Sequence, residues 1–468
     1  MEGGGERESD CASLSHQHAR AQLNSTSCSH QIHPGLRIDL TLSQTSYHAL
    51  LEVSWQAKAP GSLDVKAALV EALPGVFTDK AAFLATLAAR PAAGAPPTAD
   101  LGPVVASFPF GSDTARTVDI HATMLASASA VVKALHARVQ NLLTFFIDGA
   151  SDIDPADPAW ELLTAVVRRE APAPAPTPTR ATVVAGMATL NHMWGYPDVT
   201  RLRVCQVLAL PPAQGQGVGE GLVRAAYALA DARQDPASSS GRPVLDVTYE
   251  DPTEEMQVLR EKVEAGRAAG CAWLAKVADA AAAQAGKGEA AAAAKGKGEA
   301  TAGDADQRLP PPVLSLSPSD AARARHELHL TRAATAGAWE ALLAARLGTG
   351  SPALVAAVRA RLAAAAGGAV AATAGPGPKG GPKRVFDAPD EATGFVMCRV
   401  PPGAAAAAAQ AAAAAGPAAA AMAAVAATGA GPELEAGVAE EEAAALDAAT
   451  QARLGVLAQV VGRLQRRR

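Results

Sequence analysis

"ALPPAQGQGVGEGLV", residues 209–223, sets four glycines between a strand-like run and a helix-like run. Glycines at such a junction leave bare N–H groups at a helix N-terminus, where the macrodipole favours an anion. Three phosphate-binding patterns compete for the turn, and spacing separates them. A Walker loop ends in Gly-Lys-Ser/Thr, and no lysine follows here. The dinucleotide pattern G-x-G-x-x-G meets Glu220 in its last position counted from Gly215, and Leu222 counted from Gly217. Gln-x-x-Gly-x-Gly does fit, through Gln214, Gly217 and Gly219. Taken by itself, the turn is either a diphosphate cradle or a glycine-rich connection that holds nothing.

The flanks set the fold class. "RLRVCQVLAL" (201–210) leads into the turn as a strand, and Leu222, Ala226, Leu229 and Ala230 follow at helical spacing. "PVLDVTYED" (243–251) is a further strand, and "PTEEMQVLREKVEAG" (252–266) a further helix. Asp-Pro-x-Glu at its start predicts Asp251 as N-cap, with Pro252 in the first helical position. Upstream, "ELLTAVVRRE" and "TVVAGMATLNHM" flank the Pro-rich "APAPAPTPTR", the pattern of a hairpin. Two strand–helix units after an antiparallel hairpin make a mixed sheet with helices on its faces, an α/β fold. Nearer the N-terminus, Leu36–Leu42 and Leu51–Trp55 alternate as two paired strands. Residues 64–73, 79–88 and 129–147 are expected to be helical, with a strand around Val118 and Ile120.

The chain has 468 residues, enough for two or three domains, and a net charge of −5 that argues against a general nucleic-acid binder and suits a basic partner. Five scattered cysteines suggest a reducing compartment. Cys11, His16, His18, Cys28, His30 and His33 match no common zinc spacing, so no metal is expected. No signal peptide or long apolar span is evident, so a soluble intracellular protein is expected, away from membranes. Composition divides the chain into a disordered N-terminus (1–34), an α+β region (35–147) and the glycine-loop domain (148–279). A low-complexity insert (280–315), a small helical domain (316–366), an Ala/Gly/Pro-rich stretch (367–436) and a terminal helix (437–468) complete it.

"YPDVTRLRVCQVLALPPAQGQGVGEGLV" (196–223), followed by "VLDVTYEDPTEEMQVLRE" (244–261), resembles the catalytic subunit family of type B histone acetyltransferases. "FFIDGASDIDPADPAW" (145–160) and "HPGLRIDL" (33–40) resemble earlier segments of that family, in order, and "LHLTRAATAGAWEALLAARL" (328–347) resembles its small C-terminal helical domain. The resemblance implies a mixed-sheet GNAT acetyltransferase domain between an N-terminal α+β region and a small C-terminal helical domain. It implies acetyl-CoA as co-substrate without a metal, and a newly made histone, chiefly the histone H-four tail, as acceptor. It further implies a WD-repeat histone chaperone as partner, with nucleus and cytoplasm as location.

Residue by residue, the resemblance implies that Gln214, Gly215, Gln216, Gly217, Val218, Gly219 and Glu220 cradle the coenzyme diphosphate. Val207, Leu208 and Ala209 would pair with the pantetheine arm, and N–H groups near Val207 and Leu208 would polarise the thioester oxygen. Glu250 stands in the general-base position, and Asp148 where the animal enzymes carry a Glu beside the substrate lysine. Asn191, His192 and Met193 fall where the family binds the histone tail, although an aromatic-rich stretch there reads "NHMW" in this chain. Asp251 is weighed both as cap and as acid–base group, and Asp152, Asp154 and Asp157 both as an acidic wall for a basic tail and as a solvated loop. Cys205, inside a strand and with no His nearby in sequence, reads as a small buried hydrophobe rather than an acyl carrier. Two rivals stay open: a non-catalytic histone- or chaperone-binding module on the same fold, and an acetyltransferase for another amine.

Overall fold

The computed structural model describes residues 34–43, 46–88, 98–147, 149–169, 182–234, 242–295, 314–373 and 432–465. The N-terminal Cys/His group, residues 296–313, and the Ala/Gly-rich stretch from 374 to 431 lie outside the described residues. The chain divides into two compact units, Met1–Pro252 and Thr253–Arg468.

In the first unit, β1 (Arg37–Leu42) and β2 (Ala49–Ser54) form the expected antiparallel pair, with Leu40 opposite Leu51. Helices α1 (Val65–Ala72) and α2 (Lys80–Ala88) follow. A six-stranded sheet then takes β3 (Val104–Phe110), β4 (Asp113–Met124), β5 (Trp160–Arg169), β6 (Thr182–Gly195), β7 (Val199–Ala209) and β8 (Val244–Tyr249), adjacent in that order. Each neighbouring pair is antiparallel except β7–β8. A parallel pair needs a crossover, supplied here by helix α4 (Val218–Ala232). Helix α3 (Ala130–Phe146) packs Val132, Leu135, Val139 and Leu142 against Leu162, Val166, Met187 and Leu208. Glu161, next to Leu162, instead meets Arg233 at the end of α4. Adjacent strand residues point to opposite faces, so α3 and α4 cover opposite sides of the sheet.

Three sequence expectations need correction. β3 was not expected, and β3 and β4 belong to the same sheet as β5–β8, so the division expected at residue 147 is no division of the fold. The helix after β8, α5 (Glu254–Gly270), falls in the second unit rather than in a domain ending at 279. Its N-cap is Thr253, whose hydroxyl accepts from Met256 N at 3.3 Å, whereas Asp251 lies outside the helix with φ of 35°. Pro252 is therefore not the first helical residue, and Asp251 caps nothing in α5.

The second unit is helical: α5, α6 (Ala272–Lys295), α7 (Pro318–Leu328), α8 (Arg332–Leu347), α9 (Pro352–Thr373) and α10 (Pro432–Gln465). α8 touches each of the other five and buries Ala338, Trp339, Leu342 and Leu343. Arg453 of α10 binds both carboxylate oxygens of Glu261 on α5, at 2.7 and 2.6 Å, and Glu340 of α8 at 2.9 Å.

The insert expected from 280 onward begins as ordered helix. Alanine has the highest intrinsic helix propensity, and α6 buries Ala278 and Ala285 completely. Its Glu289 carboxylate accepts from Ser351 Oγ at 2.7 Å and Ala353 N at 3.0 Å, capping α9. Deleting 280–295 is therefore expected to lower the melting temperature by several degrees. An unchanged thermal melt would show that these contacts contribute nothing.

Candidate active site

The turn between β7 and α4 is built from both ends. Leu210 N donates to Ala185 O at 2.9 Å, and Gln214 Nε2 reaches back to Ala209 O at 3.1 Å. Gly217 takes the N-cap of α4 at φ of 86°, a left-handed conformation that glycine enters without strain, and no side chain caps the helix there. The first-turn amides of Val218 and Gly219 have no intrahelical acceptor and sit at the positive end of the dipole. Glu220 turns its side chain inward to Arg224 at 3.0 Å, leaving its backbone as what it offers to this turn. Gly221 has a different reason: a Cβ there would lie 2.1 Å from the Phe108 ring of β3. Gln216 O accepts from Gly111 N at 3.1 Å, so the β3–β4 turn braces the loop.

Beside this turn, β7 has an open edge. Its pairing with β8 ends at Val204 opposite Tyr249, while β7 runs on to Ala209. A bulge in β7 puts Gln206 opposite Thr189 but Val204 opposite Leu190, leaving Cys205 as the extra residue. Before it, Val204 O faces β8 and accepts Glu250 N at 3.0 Å. Beyond it, Leu208 O faces β6 near Gly186. Backbone alternation therefore turns the N–H and C=O groups of Val207 and Ala209 towards the side without a strand. Of the three residues expected along the pantetheine, Leu208 spends its own backbone groups on β6.

Side chains on one face gather around the bulge. Arg201 stands opposite Asp246 and Arg203 opposite Thr248, and Cys205 and Glu250 follow just past the last pair, Val204 and Tyr249. Asn191 and Met193 pair with Arg203 and Arg201 and share that face. Arg201 makes a two-pronged bond to Asp246, at 2.8 and 2.7 Å. Gln206 joins the face from the far side of the bulge, accepting from Thr189 Oγ1 at 3.2 Å and donating to Ser151 O at 2.9 Å. This second bond ties β7 to the loop after α3. Asp148 belongs to that loop and lies outside the described residues. Glu250 and Asp251 are both exposed.

The structure separates His192 from its neighbours. Its ring lies on the α4 face, with Nε2 2.9 Å from Glu161 Oε2. Arg233 binds the same carboxylate at 2.8 and 2.7 Å. Asn191 and Met193 therefore share the Glu250 face, and His192 does not. Burial acts to raise the Glu161 carboxyl, but the hydrogen bonds from His192 and Arg233 outweigh it and hold the group at about 2. A folded-state value below the unfolded one means stability fully present above about pH 4 and lost as pH falls towards 2. Glu161→Gln should be less stable at pH 7 and lose that acid-side slope, as urea midpoints between pH 2 and 7 would register. A variant with the wild-type slope would refute the assignment.

The acidic residues after α3 hold their own loop. Asp154 and Asp157 accept from Ala156 N and Ala159 N, each at 2.8 Å, and Asp152 takes Gln140 at 2.6 Å. Among the described residues no group of three or more His, Cys, Asp or Glu could hold a metal, and no helix is long and apolar enough to cross a membrane. The sequence reading missed the Gln206 tether and the Glu161–Arg233 pair. A glutamine inside an apolar strand and a glutamate opening another were the available signals.

The first unit is thus an α/β fold whose mixed sheet sets an open strand edge beside a glycine turn and a carboxylate. Residues 33–148 match the family model described as the N-terminus of the histone acetyl transferase HAT1. The chain is 26% identical over 232 residues to the histone acetyltransferase type B catalytic subunit of Zea mays, covering 49% of this chain and 46% of that protein. It is 25% identical over 240 residues to the protein of that name from Arabidopsis thaliana, covering 50% and 48%. Identity to the protein of that name from Rattus norvegicus is 37% over 128 residues, covering 27% of each chain. The chain is similar to type B histone acetyltransferase catalytic subunits, and it spans about half the length of the two plant proteins it matches.

Proposed function

We propose that the first unit is a GNAT-type acetyltransferase domain that moves acetyl from acetyl-CoA to a lysine ε-amine of newly made histone H-four, by direct attack in a ternary complex. The observation that carries this reading is the open edge of β7 lying between the Gly217 turn and Glu250. Amides of the 214–220 turn hold the diphosphate, and the outward backbone groups of Val207, with the Ala209 N–H, take the pantetheine as an added strand. The Val207 N–H then stabilises negative charge on the thioester oxygen. A lysine amine, with a pKa of about 10.4, must first lose a proton. Glu250 accepts it directly or through water, the amine attacks the carbonyl carbon, and the carbon–sulfur bond breaks. The departing thiolate takes the proton that the attacking nitrogen gives up and leaves as the coenzyme thiol. Asn191 and Met193 line the approach of the tail, and Asp148 stands beside the lysine. This acid–base route uses no metal. A WD-repeat histone chaperone as partner, and work in nucleus and cytoplasm, complete the proposal.

Purified protein incubated with acetyl-CoA and free core histones should yield acetyl-lysine on histone H-four, mapped by mass spectrometry. Coenzyme binding without acetyl-lysine would favour a non-catalytic histone-binding module, a reading supported by the turning of His192 away from the Glu250 face. Acetylation of a small amine but of no histone would indicate a different acceptor.

A further inference from the structure

We infer that Cys205 is a positioning residue for Glu250, its thiol donating to the carboxylate and holding it towards the open edge of β7. This inference rests on Glu250 being the general base. As the extra residue of the bulge, Cys205 keeps its side chain on the Glu250 face while β7 reverses the direction of its backbone groups. The bond from Glu250 N to Val204 O, at 3.0 Å, anchors the root of the glutamate one residue from the thiol. The thiol donates to Arg203 O at 3.6 Å, and the Glu250 carboxylate beside it is the stronger acceptor because it is charged. The backbone N–H of Asn191 on β6 also interacts with this sulfur. Arg203 faces the pair from the neighbouring rung, and Asp251 follows in the chain.

The surroundings also argue against a covalent role. Burial and then the Glu250 carboxylate push the thiol well above its ordinary range, so it stays protonated, a donor rather than a nucleophile.

Cys205→Ala should lower kcat about five- to tenfold, the scale of one hydrogen bond to a charged group, with KM for acetyl-CoA unchanged. Cys205→Ser keeps a donor and should recover the rate. If the thiol acts through the carboxylate, Cys205→Ala should cost nothing further in a Glu250→Gln background. Wild-type kcat in a folded Cys205→Ala, or an undiminished loss in the double variant, would overturn the inference. Should Glu250→Gln itself retain wild-type turnover, the general-base reading fails instead, and the series separates the two failures.

Discussion

Glu250→Gln should reduce acetyl transfer by about two powers of ten or more, the usual scale for loss of a general base. The substitution keeps size and hydrogen bonding but removes basicity. Acetyl-CoA affinity should barely change, because the coenzyme is assigned to the turn at 214–220 and the outer edge of β7. The residual rate should climb with pH as free lysine amine becomes more abundant. Asp251→Asn is the control. Asp251 is exposed, follows Glu250 at φ of 35° and caps no helix, and Asn tolerates left-handed backbone well. Its variant should therefore melt and turn over much like the parent. A fully active Gln variant beside a folded but inactive Asn variant would mean that the two carboxylates are assigned the wrong way round.

Local patterns carried most of what was legible. Strict alternation marked β1 and β2, the Pro-rich break marked the β5–β6 hairpin, and one apolar stripe marked α3. β3 escaped because "VVASFPF" contains Pro109, a residue that an edge strand tolerates and an inner strand does not. That β4 pairs with β5 across the whole of α3 is a non-local contact, and no composition shift records it. At the start of α5 two cap-type residues competed, and Thr253 won over Asp251 because helical backbone begins only at Glu254. The alanine-rich run after 280 reads as low complexity by composition, although the propensity of alanine favours helix.

The site divides along the same line. The glycine turn is a contiguous motif that spacing alone picks out, whereas Glu250 is singled out only by the family resemblance. The grouping of Cys205, Gln206, Asn191 and Glu250 depends on one extra residue in β7, which nothing in the residue types announces. His192 is different, since period-two alternation alone would have set it on the face away from Asn191 and Met193.

Gly217→Asp should then weaken acetyl-CoA binding by about two orders of magnitude, with Gly217→Asn as the variant that isolates the cause. At φ of 86° almost any side chain is strained, but Asn and Asp enter left-handed backbone more cheaply than other residues. Both variants should therefore fold with similar melting temperatures. Asn adds bulk at the helix start and should cost a modest factor in affinity. Asp adds bulk and also a negative charge where the dipole of α4 and the amides of Val218 and Gly219 favour an anion. Its repulsion of a diphosphate makes up most of the expected loss, since a factor of one hundred corresponds to about 2.8 kcal/mol. Because part of that repulsion is exposed to solvent, raising salt should narrow the gap between the two variants. Calorimetric titration of acetyl-CoA into each folded protein measures all of these. Equal affinity for Asp and Asn would mean that no diphosphate sits at this turn, and that its glycines serve only the strand–helix connection and the close packing of Phe108 on Gly221.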